Sequence, residues 1–180
     1  MELKTERFKL RELREGDEKD LVENANDIEV SIYTATMPHP YTEEEAKNFI
    51  SRSIKKSNED PRNTYNFAIE HKGKLAGGIG ITNVDTWKKT CDLGYWIGKA
   101  YWSKGLMKEA IEAALNFAFG ELRLNRINAN VVIENKPSIN LLEKFGFKRE
   151  GRRRQSERPK STGELHDDYV YGLLKEDWKK

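Results

Sequence analysis

One glycine and two lysines stand together in the stretch YWSKGLMKEA, residues 101–110, where an extended aromatic segment gives way to a helical pattern. The first turn of a helix presents backbone N–H groups that have no partner within the helix, and the helix dipole adds partial positive charge there. Gly105 would let a bulky anion approach this backbone closely, and Lys104 and Lys108 add two cationic groups. The stretch therefore indicates a phosphate-binding turn. A second interpretation stays open, in which Gly105 only starts the helix and both lysines are solvated.

Other chemistry is limited by the residue types present. Cys91 is the single cysteine, so the chain forms no intramolecular disulfide, and we expect a small buried core residue rather than a nucleophile. His39, His71 and His166 lack the spacing of a helical metal pair, so we expect no metal. The glycines of GGIG, residues 77–80, lie inside a strand pattern with no helix after it, which favours sheet bulging or close packing over a dinucleotide site.

Length and composition predict one soluble domain. The 180 residues are 37% hydrophobic and 34% charged, which suits a single core, and no apolar run approaches the length of about 20 residues that a membrane span needs. A net charge of +2 argues against nucleic acid as the main partner. The start, MELKTERFKL, is typical of neither a secretory signal nor a transit peptide, so we expect a cytoplasmic protein.

The elements that must position these residues follow an α+β pattern. We predict a strand in RFKLREL, a helix in GDEKDLVENAND and, after the loop SIYTATMPHPY, a second helix from the capping pair Thr42 and Glu45 to about Lys56. Three antiparallel strands are predicted across TYNFAIEHKGKLAGGIGITNV and TCDLGYWIG. An apolar stripe predicts a helix from Ser103, followed by the strand RINANVVI, the helix PSINLLEKFG and the strand HDDYVYGLL.

The segment from Cys91 to Gly151 resembles the GCN5-related N-acetyltransferases, specifically the branch that acetylates the N-terminal amines of ribosomal proteins. The turn at residues 102–108, the NxxS element that begins at Asn135 and the GF pair at Gly146 carry the resemblance, which extends from TERFKLREL to HDDYVYGLLKEDW. It implies a single N-acetyltransferase domain over residues 1–180. Its fold would be α+β, with a mixed, mostly antiparallel central sheet of about seven strands flanked by about four helices.

The resemblance implies acetyl-CoA as the cosubstrate. Family members hold its pyrophosphate on the turn that matches residues 102–108 and its thioester beside the strand that matches residues 93–97. The implied contacts are Tyr95, Trp96, Ile97, Trp102, Ser103, Lys104, Gly105, Leu106, Met107, Lys108, Asn135 and Asn140. Both asparagines would bond the pantetheine arm, and Asn135 as a plain turn residue is the competing interpretation.

The turn departs from the usual family pattern WGxGYA at three positions. Ser103 stands for the first glycine, Leu106 for the aromatic residue and Met107 for the small residue. We expect Ser103 to keep the backbone geometry and Met107 to crowd the turn.

Acetyl transfer requires a deprotonated amine, donors for the oxyanion and a proton for the departing thiolate. Asp92 is the expected base, since similar enzymes often carry a glutamate at this position; a purely structural hydrogen bond is the competing interpretation. Backbone amides at residues 95–97 are the expected oxyanion donors, which requires the strand to be splayed open. Ser138 is the expected proton donor to the thiolate, with a helix cap as the alternative.

The implied acceptor is a primary amine, either a protein N-terminus of the ribosomal type or a small molecule. Tyr33, His39 and Tyr41 lie in the loop that walls the acceptor site in similar enzymes, and a packed loop is the other interpretation. The basic segment 148–160 would contact the ribosome, and its Arg152, Arg153 and Arg154 would contact ribosomal RNA, an acidic substrate or the cofactor's 3′-phosphate, although a solvated hairpin is the more usual fate of such a run. A noncatalytic acyl-CoA-binding or ribosome-associated module is the alternative function. We expect no membrane partner, and either a monomer or a homodimer.

Overall fold

Eight strands form one sheet in the computed structural model, which describes residues 1–178. The strands are β1 (Glu2–Lys4), β2 (Lys9–Glu12), β3 (Tyr65–His71), β4 (Lys74–Asp85), β5 (Thr90–Ile97), β6 (Arg126–Val132), β7 (Lys148–Glu157) and β8 (His166–Leu174). Their order in the sheet is β1-β2-β3-β4-β5-β6-β8-β7. Only β5 and β6 run parallel, and every other neighbouring pair is antiparallel. The predicted mixed, mostly antiparallel sheet is confirmed.

Helices cover both faces of this sheet. They are α1 (Glu18–Ala25), α2 (Ile28–Ser31), α3 (Glu43–Ser57), α4 (Leu106–Asn116) and α5 (Lys136–Lys144). The predicted capping pair is present at α3, where Thr42 Oγ1 accepts a hydrogen bond from the Glu45 amide. Within residues 1–178, no helix has the length and apolar character that crossing a membrane requires.

The alternation of side chains along β3 shows how the two faces are filled. Phe67 and Ile69 are buried in the cluster that includes Ile111 of α4, whereas Ala68 belongs to the cluster on the other face, with Leu21 of α1. Because successive residues of a strand point to opposite faces, one short segment contributes to two apolar layers. The apolar layer that contains Ile111 packs α4 against the sheet.

Residues 1–178 form eight strands and five α-helices, compared with the expected seven or so strands and about four helices. Three elements were not predicted: β1, α2 and β7. The strand β7 has the sequence KREGRRRQSE and is exposed almost throughout, because it is the edge of the sheet. It therefore lacks the apolar alternation by which a strand is recognised. The other two have only 3 and 4 residues.

Candidate functional site

The parallel ladder between β5 and β6 ends partway along β5. Residues 90–92 pair with residues 126–128, and β5 then continues to Ile97 paired with β4 alone. Just after β5, the Gly98 amide donates to Ala76 on β4. Since N–H groups alternate sides along a strand, the amides of Tyr95 and Ile97 face the opened side. The splay that the oxyanion hypothesis requires is therefore present.

Two cavities meet at this opening. One, of about 650 Å³, extends toward the turn before α4 and is called here the turn-side cavity. The other, of about 520 Å³, lies between the sheet and the segment 33–41 and is called the loop-side cavity. The residues that line both are Tyr33, Thr34, Tyr95, Trp96, Asn135 and Ser138. A reaction that joins a group held in one cavity to a group held in the other would occur beside these residues.

The turn before α4 has the backbone geometry of an anion site. Gly105 is the N-cap residue of the 11-residue helix, with φ +73°, and Ser103 also has a positive φ of +59°. A Cβ on Gly105 would meet only Arg7 Nη2, at 3.4 Å, so the turn is open on its outer side. The first residues of α4 border the turn-side cavity, and their amides have no partner within the helix.

Most residues predicted to form this turn border the turn-side cavity, namely Trp102, Ser103, Gly105, Leu106, Met107 and Lys108. Trp102 Nε1 donates to the carbonyl of Ile97 at 2.9 Å, which joins the turn to the end of β5. Met107, expected to crowd the turn, is mostly buried in the core. Lys104 does not line the cavity, because its Nζ donates to the Ala100 carbonyl at 2.7 Å.

An arginine near the N-terminus, which the sequence analysis missed, holds the turn from outside. Arg7 Nη1 donates to the Lys104 carbonyl at 2.8 Å, and Arg7 Nε and the Arg7 amide donate to the Glu109 carboxylate at 2.6 and 2.9 Å. This arrangement crosslinks the segment before β2, the turn and the first turn of α4. No local signal in the sequence reveals it, since Arg7 and Lys104 lie far apart in the chain.

The NxxS element places a hydroxyl between the two cavities. Asn135 is the N-cap of α5, and its Oδ1 accepts from the Ser138 amide at 3.2 Å, so the cap is Asn135 and the helix-cap interpretation of Ser138 is wrong. Ser138 Oγ lies 2.8 Å from the hydroxyl of Tyr95 on β5. Burial raises the pKa of Tyr95 to about 12. Asn140 is exposed on α5 and lines neither cavity.

Asp92 lies in the wall of the loop-side cavity, at the last position of β5 that pairs with β6. Its carboxylate accepts from Asn83 Nδ2 at 2.8 Å and from Asn128 Nδ2 at 3.2 Å, one amide on each oxygen. Asn83 has a φ of +51° at the irregularity in the β4–β5 pairing, which turns its amide toward Asp92. The Asp92 carboxylate is therefore both hydrogen-bonded within the fold and part of the cavity wall.

The loop-side cavity combines aromatic walls with acidic groups. Tyr33 and Tyr41 line it as predicted, together with Phe49, whereas His39 is exposed and lines neither cavity. Burial, with the nearby Glu45 carboxylate, raises the pKa of Tyr41 to about 12. The charged lining residues are Glu45, Asp92, Glu157 and Arg52. Three carboxylates against one guanidinium favour a cationic guest.

Two tight contacts explain Gly77 and Gly78 of β4. A Cβ on Gly77 would lie 2.5 Å from the Trp96 carbonyl, and one on Gly78 would lie 2.8 Å from Trp96 Nε1. Close packing is thus the reason for these glycines, and it holds Trp96 between the two cavities. Cys91 is buried, and burial with the nearby Asp92 raises the pKa of its thiol to about 12, which is unsuited to a thiolate nucleophile.

The basic segment 148–160 comprises the whole of β7 and the start of the loop to β8. Arg152 bonds Asp167, and Arg153 bonds the buried Asp168. These contacts confirm a hairpin whose charge is partly compensated within the protein. Within residues 1–178, no group of three or more His, Cys, Asp or Glu side chains is arranged to hold a metal ion.

Comparisons with known proteins find similarity to acetyltransferases. Residues 7–148 match the family described as Acetyltransferase (GNAT) domain. The uncharacterized N-acetyltransferase p20 of Bacillus licheniformis is 33% identical over 177 residues, which cover 98% of this chain and 97% of that relative. The [ribosomal protein uS5]-alanine N-acetyltransferase of Escherichia coli is 39% identical over 77 residues, 41% of this chain and 40% of that enzyme.

A solved structure agrees over the whole fold. The GNAT-family acetyltransferase of Bacillus anthracis superposes with a TM-score of 0.80 at 28% identity, over 98% of this chain and 99% of that one.

The left-handed backbone at Ser103 leads to a prediction about stability. Ser103→Gly should raise the free energy of unfolding by about 0.5 to 1 kcal/mol, because glycine adopts positive φ without steric cost. Urea denaturation measures the change. Ser51→Gly in the middle of α3 is the matched control and should lower the free energy of unfolding by a similar amount. A loss of stability in Ser103→Gly would contradict the strained backbone described for the turn.

Proposed function

The chain belongs to the GNAT acetyltransferase family, and we propose that it transfers the acetyl group of acetyl-CoA to a primary amine. The observation that carries the proposal is the meeting of two cavities at the open edge of β5, one leading from an anion-binding turn and the other walled by acidic and aromatic side chains. This arrangement suits two substrates that approach the same strand from opposite sides.

The turn-side cavity fits the donor. The exposed amides that follow Gly105, with Lys108 and the hydroxyl of Ser103, would hold the pyrophosphate. The apolar lining from Ile28, Ile97 and Leu141 would accompany the pantetheine arm toward Tyr95. The amides of Tyr95 and Ile97 on the opened edge then supply hydrogen bonds to the thioester oxygen.

The reaction needs three catalytic functions from the chain: a base, donors for the oxyanion and a proton donor for the thiolate. Asp92 accepts a proton from the incoming amine, through a water where its short side chain does not reach. The amine nitrogen forms a bond to the acetyl carbon, and the amides of Tyr95 and Ile97 stabilise the negative charge on oxygen. The carbon–sulfur bond then breaks with its electron pair on sulfur, and Ser138 supplies a proton to the thiolate.

The acceptor follows from the loop-side cavity. Its three carboxylates favour an amine that arrives as a cation, and an α-amine with a pKa of about 7.7–8.0 loses its proton far more readily than a lysine at about 10.4. A protein N-terminus is therefore the proposed acceptor, and the name of the E. coli relative, an alanine N-acetyltransferase, is consistent with it. A small amine is the second candidate, supported by the same acidic lining. Because Arg152 and Arg153 are paired within the hairpin, the structure offers no further support for a ribosome contact through residues 148–160.

An acceptor panel tests the proposed activity. Peptides with N-terminal alanine or serine, spermidine, and a peptide with a blocked N-terminus and one lysine are incubated with acetyl-CoA, and release of free thiol is measured. We expect the free N-terminal peptides to react at neutral pH at least about tenfold faster than the lysine peptide, because more of their amine is deprotonated. Binding of acetyl-CoA without thiol release on any acceptor would contradict an enzymatic role and favour a binding module.

Gly105→Val tests the anion-binding turn. A β-branched residue at φ +73° is strained and should displace the backbone of the turn, so the Kd for acetyl-CoA should rise about tenfold or more in calorimetry. Gly163→Val, in the loop between β7 and β8 with φ +70°, is the matched control with comparable strain and should leave the Kd unchanged. Equal affinities in both variants would exclude this turn as the phosphate site.

Asp92→Asn tests the base. We expect kcat to fall about 100-fold at pH 6.5 and only about tenfold at pH 9, because the amine loses its proton without help at high pH. The pH profile of kcat on the best peptide measures this, with Asp167→Asn in the β7–β8 hairpin as the control. A defect of constant size across the pH range would show that Asp92 is not the base.

A further inference from the structure

Tyr95 carries two different polar groups to the junction of the cavities. Its amide lies on the opened edge of β5, and its side-chain hydroxyl lies 2.8 Å from Ser138 Oγ at the start of α5. Both residues line both cavities. The hydroxyl pair therefore bridges the strand and the helix beside the point where the thioester would lie. In the proposed acetyl transfer the Tyr95 amide stabilises the oxyanion, and the phenol has no role assigned to it.

Either hydroxyl of this pair could donate, and the chemistry of the two groups favours one direction. A phenol is a stronger donor and a weaker acceptor than an aliphatic alcohol, so Tyr95 is the better donor of the pair. Burial raises the pKa of Tyr95 to about 12, so the phenol keeps its proton throughout the neutral range. Asn135 Oδ1 engages the Ser138 amide, and within residues 1–178 Tyr95 is the hydrogen-bond partner of Ser138 Oγ.

We propose that Tyr95 is a positioning residue, which donates to Ser138 Oγ and so directs the hydrogen of Ser138 into the cavity, toward the leaving sulfur. This inference rests on the proposed acetyl transfer. When the carbon–sulfur bond breaks, its electron pair goes to sulfur, the Ser138 hydrogen moves to sulfur, and Oγ regains a proton from solvent through the open cavity. Tyr95 stays protonated and is neither consumed nor charged in the step.

A change of leaving group separates this role from a structural one. A selenolate is a much weaker base than a thiolate, so acetyl-seleno-CoA needs less help from a proton donor than acetyl-CoA. Single-turnover rates with the two esters are compared for the wild type, Tyr95→Phe, Ser138→Ala and the double variant, with the best peptide of the acceptor panel. Tyr171→Phe is the matched control, because it removes another buried phenol, one that donates to Glu143 at 2.9 Å.

With acetyl-CoA we expect about a fivefold slower rate for Tyr95→Phe and about a 30-fold slower rate for Ser138→Ala, with the double variant no slower than Ser138→Ala. Both defects should shrink at least about threefold with the selenoester, whereas Tyr171→Phe should keep the wild-type ratio. An equal defect of Tyr95→Phe with both esters would overturn the proposal. So would a Tyr95→Phe defect larger than that of Ser138→Ala, because the phenol itself would then be the donor. A wild type that acetylates no amine overturns the acetyl-transfer proposal and this inference together. If the wild type is active but Tyr95→Phe keeps the wild-type ratio of the rates with the two esters, only this inference is overturned.

Discussion

The divergence of β5 from β6 is the constraint on which the rest of the site depends. β5 stays paired with β4 up to Ile97, and β6 stays paired with β8 along its whole length. Each strand is therefore held by its outer neighbour, and the two separate after Asp92. An interior sheet position normally leaves no free backbone donors, because both edges of the strand are bonded. Here the separation leaves free amides in the middle of a sheet, flanked by two cavities.

The N-terminal ends of α4 and α5 supply the other polar groups of the site. α4 starts at a left-handed glycine beside the turn-side cavity, and α5 starts with an asparagine cap that places Ser138 beside Tyr95. Both helices pack on the same face of the sheet through buried apolar residues such as Ile111 and Leu142. The polar groups of the site are therefore fixed by apolar packing behind them, so that little ordering remains to be done when a substrate binds.

Local chemistry could be predicted from the sequence, but contacts across the fold could not. The strand order of the central meander, the glycine at the α4 turn and the short helix after Asn135 follow from turn residues, caps and periodicity, which act over a few positions. Three sets of contacts join residues that are distant in sequence, so no local pattern predicts them. They are the hydrogen bond between Tyr95 and Ser138, the hydrogen bonds of two asparagine amides to Asp92, and the hydrogen bonds of Arg7 to the turn and to α4. For the same reason the sequence does not distinguish the loop residue His39 from Tyr33 and Tyr41, although of these three only the tyrosines line the cavity.

The hydrogen bonds of Arg7 to the α4 turn determine which end of the chain better tolerates a purification tag or a fusion partner. The guanidinium and the amide of one residue tie the segment between β1 and β2 to the backbone carbonyl of Lys104 and to Glu109. A purification tag, a fusion partner or a trimmed start that perturbs the first strand acts through this link on the turn nearly a hundred residues further along the chain. The opposite end of the chain is the safer place for such additions, since β8 lies beyond β6 in the sheet, whereas the turn is joined to the end of β5.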